Sequence, residues 1–264
     1  MKGDVARVKV ITLTNQKGGV SKSTTAYALG AGLNDKGKTV LIIDADPQGN
    51  LSFTAGIDLI NLEYSLYEVF KGVCTIKKAM QTIQPGLDIV TAGLKMTSAD
   101  MEFTDVNRAF LLREALEAVK TSYDYCIIDT PPTLGVLVMN ALTASDEIII
   151  PINADIYSLQ GIAQLKQFID NVRKYCNPDL QITGILVTKY NERTNLTKAL
   201  MDAIQTAANN LHTKVFNTKI RESVAIKESQ LAQGDIFDEA PRASATKDYL
   251  QFINEYLEGE DDGK

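Results

Sequence analysis

The run Asn15-Gln16-Lys17-Gly18-Gly19-Val20-Ser21-Lys22-Ser23-Thr24-Thr25 follows an apolar stretch, Val8 to Leu13, and leads into helical periodicity beginning at Thr24. Small residues in such a loop let successive backbone N–H groups converge on phosphate oxygens. The following helix adds the positive end of its dipole, and Lys22 adds a full charge. Ser23 is placed to put its hydroxyl on Mg²⁺. Two acidic strings end other apolar runs: Asp44-Ala45-Asp46-Pro47-Gln48-Gly49-Asn50, and Asp129-Thr130-Pro131-Pro132 after Cys126-Ile127-Ile128. Phosphoryl transfer needs a metal held by hydroxyl and carboxylate and a group that places the attacking water, so a phosphate loop with two such strings reads as one constellation. Asp129 fits the carboxylate that holds Mg²⁺ through a water.

Those residues must be brought together by the elements between them. Short β-rich runs alternate with helical periodicity, which predicts βαβ units and a mostly parallel sheet with helices on both faces. The expected strands are residues 9–14, 39–44, 88–91, 125–129, 147–150, 181–188 and 214–217. Helical patterns are expected at 24–36, 106–121, 159–175 and 196–208. Several strands are apolar at consecutive positions, as in a sheet covered on both sides. Ligands of such sheets sit beyond the carboxyl ends of the strands, where the loop and both acidic strings fall.

Composition narrows the class. With 264 residues and 45% hydrophobic content, the chain can bury one full α/β core, and neither a linker nor an internal repeat is visible. A single domain, 1–264, is expected, with 255–264 a flexible acidic tail. Cys74, Cys126 and Cys176 are odd in number and far apart, which predicts reduced thiols in a cytoplasmic protein, with Cys126 in the core. One histidine, His212, rules out histidine triads and multi-histidine metal sites. No apolar run approaches the roughly 20 residues of a membrane span. The first strand begins so early that no signal peptide or appended DNA-reading domain is expected.

The loop departs from G-x-x-x-x-G-K-[ST] at both glycines, with Gln16 and Ser21 in those slots, and follows K-G-G-x-x-K-[ST] instead. In this it resembles the deviant Walker-A ATPases, and the resemblance to their ParA/Soj partition branch runs along nearly the whole chain. It includes Pro151 to Asp155, Tyr157 to Gly161, Gly184 to Asn195, Ile220 to Ser229 and Ala240 to Tyr249. The resemblance implies ATP with Mg²⁺, bound through Lys17, Gly18, Gly19, Val20, Ser21, Lys22, Ser23 and Thr24. It gives Lys17 a reach across a homodimer interface to the partner's nucleotide, Asp46 the lytic water, and Asp44 a supporting role near Mg²⁺ and Lys22. The Thr130-Pro131-Pro132 run becomes a γ-phosphate-sensing switch. Ser21, where most relatives have glycine, could crowd the phosphate or donate to it; binding is expected to survive and turnover to be slow.

Net charge is −6, yet residues 189–227 hold seven bases against three acids. A basic surface on an acidic body suits binding of phosphate backbones without base readout. By resemblance, Arg193 and Arg221 bind DNA non-specifically in the ATP-bound dimer, helped by Lys189 and Lys219. The resemblance also implies a ParB-like centromere-binding partner that stimulates hydrolysis, and a nucleoid-associated ATP state. Residues 255–264, with five acids and one base, oppose the basic membrane helix of MinD-like relatives. A MinD-like positioning ATPase and a hydrolysis-poor DNA-binding regulator are the rival readings.

Overall fold

The computed structural model describes residues 7–105, 107–155, 159, 161–191 and 196–261. In chain order the elements are β1 (Lys9–Leu13), α1 (Lys22–Asp35), β2 (Val40–Asp44), α2 (Asn50–Thr54), α3 (Leu66–Phe70), α4 (Ile76–Ala79), β3 (Met80–Gln84), β4 (Leu87–Thr91), a 3₁₀ turn (Leu94–Ser98), α5 (Ala99–Glu102) and α6 (Leu111–Leu116). They continue as β5 (Tyr125–Asp129), α7 (Val136–Ala144), β6 (Glu147–Asn153), α8 (Ile162–Tyr175), β7 (Gln181–Tyr190), α9 (Leu196–Asn210), β8 (Val215–Arg221), α10 (Val224–Ala232), α11 (Ile236–Glu239) and α12 (Ser244–Asp261).

The eight strands form one sheet in the order β3-β4-β2-β5-β1-β6-β7-β8, parallel except for the β3–β4 pair. Alternation along each strand divides the core. Ile11, Leu13, Val40 and Ile42 face α1 and α12, whereas Val10, Leu41 and Ile43 pack with α3, α4, α6 and α7. A third cluster joins β6 and β7 to α8 and α9. Both faces are covered, so β2 and β5 are buried at every position, as the unbroken apolar runs predict. Cys126 is fully buried in this core. At Gly32 of α1 the approach of α12 is so close that a Cβ would collide with the Ile253 side chain.

Two expectations need correction, and one element was not expected. The antiparallel edge strand β3 went unrecognised, because its Met-Gln-Thr-Ile-Gln run is only partly buried and lacks the apolar signal of the inner strands. The helix expected over 106–121 shrinks to α6, with turns on either side. The stretch expected to be a flexible tail is, through Asp261, the end of α12. Tyr256 there is 2% exposed, Glu255 accepts from the Asn217 and Thr218 amides at 2.7 and 2.8 Å, and Glu260 pairs with Lys9 at 2.5 Å. Glu255 and Glu260 are spent on the sheet, which is why their charge reads as a tail in sequence and as an anchor in structure.

Candidate nucleotide site

The register of the central strands places the two acidic strings beside the phosphate loop. Asp129 pairs in register with Leu13 on one side and with Asp44 on the other, so β1 and β2 deliver their loops to the same edge. Above it opens a cleft of about 730 Å³ lined by Gly18, Gly19, Lys22, Ser23, Asp46 and Pro132, among others, a size suited to a nucleotide-scale ligand.

The loop keeps its shape despite the serine. Ser21 stands at the N-cap of α1 in the left-handed region, φ 63° and ψ 27°, a conformation that glycine would adopt without strain. The serine holds this turn at some local cost. Side chains far away in sequence hold the loop from behind. Asn15 Nδ2 donates to Pro151 O at 2.7 Å and its Oδ1 accepts from Lys17 N at 3.0 Å. Thr188 Oγ1 donates to Val20 O at 3.2 Å, and Asn153 Nδ2 to Gly19 O at 3.3 Å. At the first turn of α1, Gln230 Nε2 donates to Thr24 Oγ1 at 3.1 Å.

The electrostatics are those of a site prepared for charge. Lys22 is 7% exposed; burial pushes its pKa down, opposed by the nearby Asp129 and Asp46. Asp129 is fully buried, and neither carboxylate oxygen has a well-formed hydrogen-bond partner among the described residues. Burial, followed by the charge of Asp44, raises the Asp129 pKa well above the carboxylate range, with the Ser23 hydroxyl and Lys22 pulling the other way. Buried polar groups are almost always satisfied, so an orphaned carboxylate next to a hydroxyl at a helix start fits a magnesium position. Among the described residues no cluster of three His, Cys, Asp or Glu side chains could hold a metal.

Asp46 is 8% exposed and lines the cleft, its Oδ1 accepting from Gln48 N at 3.0 Å. Asp44 differs. Its Oδ2 accepts from Ser52 N and Oγ at 2.8 and 2.6 Å and its Oδ1 from Asp46 N at 3.2 Å, while burial pushes its pKa up to about 6. Its oxygens shape the loop that carries Asp46 and are already engaged there. The Lys17 ammonium is held within its own chain by Asp155, at 2.6 and 2.7 Å to the two oxygens. Asp155, Asn153 and Thr188 fall in segments that carry the family resemblance, but their hold on the loop is not legible in sequence, because each meets it from more than 130 residues away.

The expected DNA-binding residues are only partly assembled. Lys189 lines the cleft at φ 50°, and the Lys219 ammonium lies 4.8 Å from the Tyr190 ring centroid. Arg221 forms a bidentate pair with Asp248, Nη2 to Oδ1 at 2.6 Å and Nε to Oδ2 at 2.9 Å, so a DNA phosphate would compete with that carboxylate. Arg193 lies outside the described residues.

A doubly covered parallel sheet with a phosphate loop between its first strand and first helix, facing an acid at a neighbouring strand end, defines a P-loop nucleotide hydrolase. The family described as an AAA domain matches residues 8–182. The sporulation initiation inhibitor protein Soj of Bacillus subtilis is 39% identical over 250 residues, 94% of this chain and 97% of that protein. The chromosome partitioning protein ParA of Caulobacter vibrioides is 34% identical, covering 97% of this chain and 96% of its own. The chain belongs to the ParA/Soj family of partition ATPases. Among solved structures, a cobyrinic acid a,c-diamide synthase from Mycobacterium smegmatis with bound ADP and magnesium superposes with a TM-score of 0.85 at 29% identity, covering 97% of each chain. A putative plasmid partition protein from Borrelia burgdorferi bound to AMPPNP gives 0.72 at 26% identity, with 96% of this chain and 97% of that one covered.

Proposed function

We propose that this chain hydrolyses ATP with Mg²⁺ to drive DNA partition, binding DNA without base readout as an ATP-bridged dimer and releasing it after hydrolysis. The observation that carries the reading is the orphaned Asp129 carboxylate beside Ser23 and Lys22 at the foot of the cleft. Ser23 and Asp129, the latter through water, would hold the metal, which when bound neutralises phosphate charge and helps orient the transferred group. Lys22 and the loop amides bind phosphates, Asp46 orients the water, and Asp44 fixes the Asp46 loop. Phe53, Ile226 and Leu231 line the outer cleft and offer the base an apolar wall.

In this reading Lys17 exchanges Asp155 for the partner subunit's nucleotide when the dimer closes. DNA meets Lys189, Lys219, Arg193 and Arg221, and a ParB-like protein accelerates turnover. Among the described residues no helix is long and apolar enough to cross a membrane, and Tyr256 and Glu260 tie the last turns of α12 to the sheet. The test is a DNA mobility shift with ATP, ADP and no nucleotide at two salt concentrations, alongside Lys22→Ala and Arg193→Ala/Arg221→Ala. Salt-sensitive, ATP-dependent binding lost in both variants is the expected result. Intact nucleotide binding without DNA binding in any state would exclude DNA as the track.

A further inference from the structure

Residues 130–135 join Asp129 to α7, and both ends of this loop are pinned. At its start Thr130 Oγ1 donates to Leu13 O at 2.8 Å. At its end lies Gly135, the N-cap of α7, which has no side chain with which to cap the helix. Asp100 of α5 does so instead, its Oδ1 accepting from Val136 N at 2.6 Å. A Cβ on Gly135 would stand 2.5 Å from Asp100 Oδ2 and 2.6 Å from Oδ1, so the carboxylate rests against backbone that only glycine can offer. Between the anchors, Pro132 lines the nucleotide cleft.

The mount that carries Asp100 is itself braced. Glu102, two residues on, accepts from Tyr67 Oη at 2.7 Å and from Ser98 Oγ, and pairs with Lys71 at 2.9 Å. Phe103 packs edge-on against Tyr67 and Phe70, with ring centroids 6.0 and 5.6 Å apart. A carboxylate at the first turn of a helix is also favoured by the helix dipole. Asp100 is thus held rigidly against the far end of the loop that begins at Asp129.

We infer that Asp100 is a positioning residue for hydrolysis, clamping the α7 end of the 130–135 loop so that Pro132 and the Asp129 end stand in register with the terminal phosphate. The inference rests on the cleft being an ATPase site. Asp100 acts through the loop, and loss of such placement costs rate more than affinity.

The experiment combines single-turnover ATP hydrolysis, ATP affinity and amide hydrogen exchange on the full chain. Asp100→Ala is expected to slow hydrolysis on the order of tenfold with affinity within about twofold, and to speed exchange across residues 130–140. Asp100→Asn, whose amide oxygen can still accept from Val136, recovers most of the rate. Gly135→Ala alone reproduces the loss by displacing the carboxylate; added to Asp100→Ala, it costs nothing further, because the new methyl group then has room. Wild-type rate in Asp100→Ala with only a lowered Tm overturns the inference, as do additive losses in the double variant. If the native chain hydrolyses no ATP, the ATPase reading fails, and exchange decides the clamp separately: unchanged exchange at 130–140 in Asp100→Ala overturns it.

Discussion

At the amino ends of β1, β5 and β6, Lys9 reaches Glu147 and Glu260 at 2.5 Å each, Tyr125 donates to Glu260 at 2.7 Å, and Tyr256 donates to Glu147 at 2.8 Å. At the carboxyl ends of the same sheet, Asp129 is more deeply buried and has no well-formed partner among the described residues, and Lys22 is buried where its charge is disfavoured. One end closes its charges on each other, whereas at the other the Asp129 carboxyl is left open. Since a buried polar group without a partner costs stability, the open end is maintained for something the chain does not supply itself. Satisfaction of hydrogen bonds, more than burial or charge, separates anchor from site.

The sharpest challenge to that contrast is Asp129→Asn. ATP hydrolysis should fall on the order of a hundredfold or more, while the nucleotide-free protein should keep its stability to within about 1 kcal/mol, because burial already disfavours the charged carboxylate and the amide has the same shape. Hydrolysis assays and urea unfolding read the two effects, and a larger loss of stability would mean that Asp129 is satisfied after all.

Lys9→Met should do the opposite, destabilising the protein by about 1–2 kcal/mol because two carboxylates lose their cation, a figure discounted for the partial exposure of all three groups. Hydrolysis per folded molecule should not change. Burial would lower the Lys9 pKa, but the two carboxylates outweigh it and hold it above 10.5. The ion-pair contribution is therefore complete below that ordinary value and is lost as pH rises through the higher folded value. Urea midpoints of the two proteins should stay apart at neutral pH and converge in strong alkali.

Tyr256→Phe keeps the buried ring and removes one donor to Glu147, for a loss of about 1 kcal/mol seen in thermal unfolding. The smallest effect is expected from Ser21→Gly. Two of the four left-handed non-glycine residues among those described, Ser21 and Lys189, line the cleft. Relief of strain at Ser21, offset by glycine's greater chain entropy, should raise stability by about 0.5 kcal/mol with nucleotide affinity kept. A drop in affinity would show that the serine hydroxyl itself contacts phosphate.

The inner strands, the phosphate loop and both acidic strings were legible because each is encoded within about ten neighbouring residues. The edge strand β3 was hidden by its mixed composition, and the final turns of α12 by reading acids as solvated when Glu255 and Glu260 bind the sheet. Asp155, Thr188 and Asn153, which hold the loop and its lysine, depend on where β6 and β7 stop relative to β1. That information resides in register rather than in any local motif.

The pairing of β1 with β5 and β6 has a consequence for how the molecule is made. The first strand emerges from synthesis apolar and without a neighbour, and it cannot enter the sheet until nearly half the chain has followed it. Long-range parallel pairing of this kind delays folding relative to hairpins. The phosphate loop is thus translated well before the strand that seats it, so a nascent chain ending short of β5 would carry the signature residues without the means to grip a nucleotide.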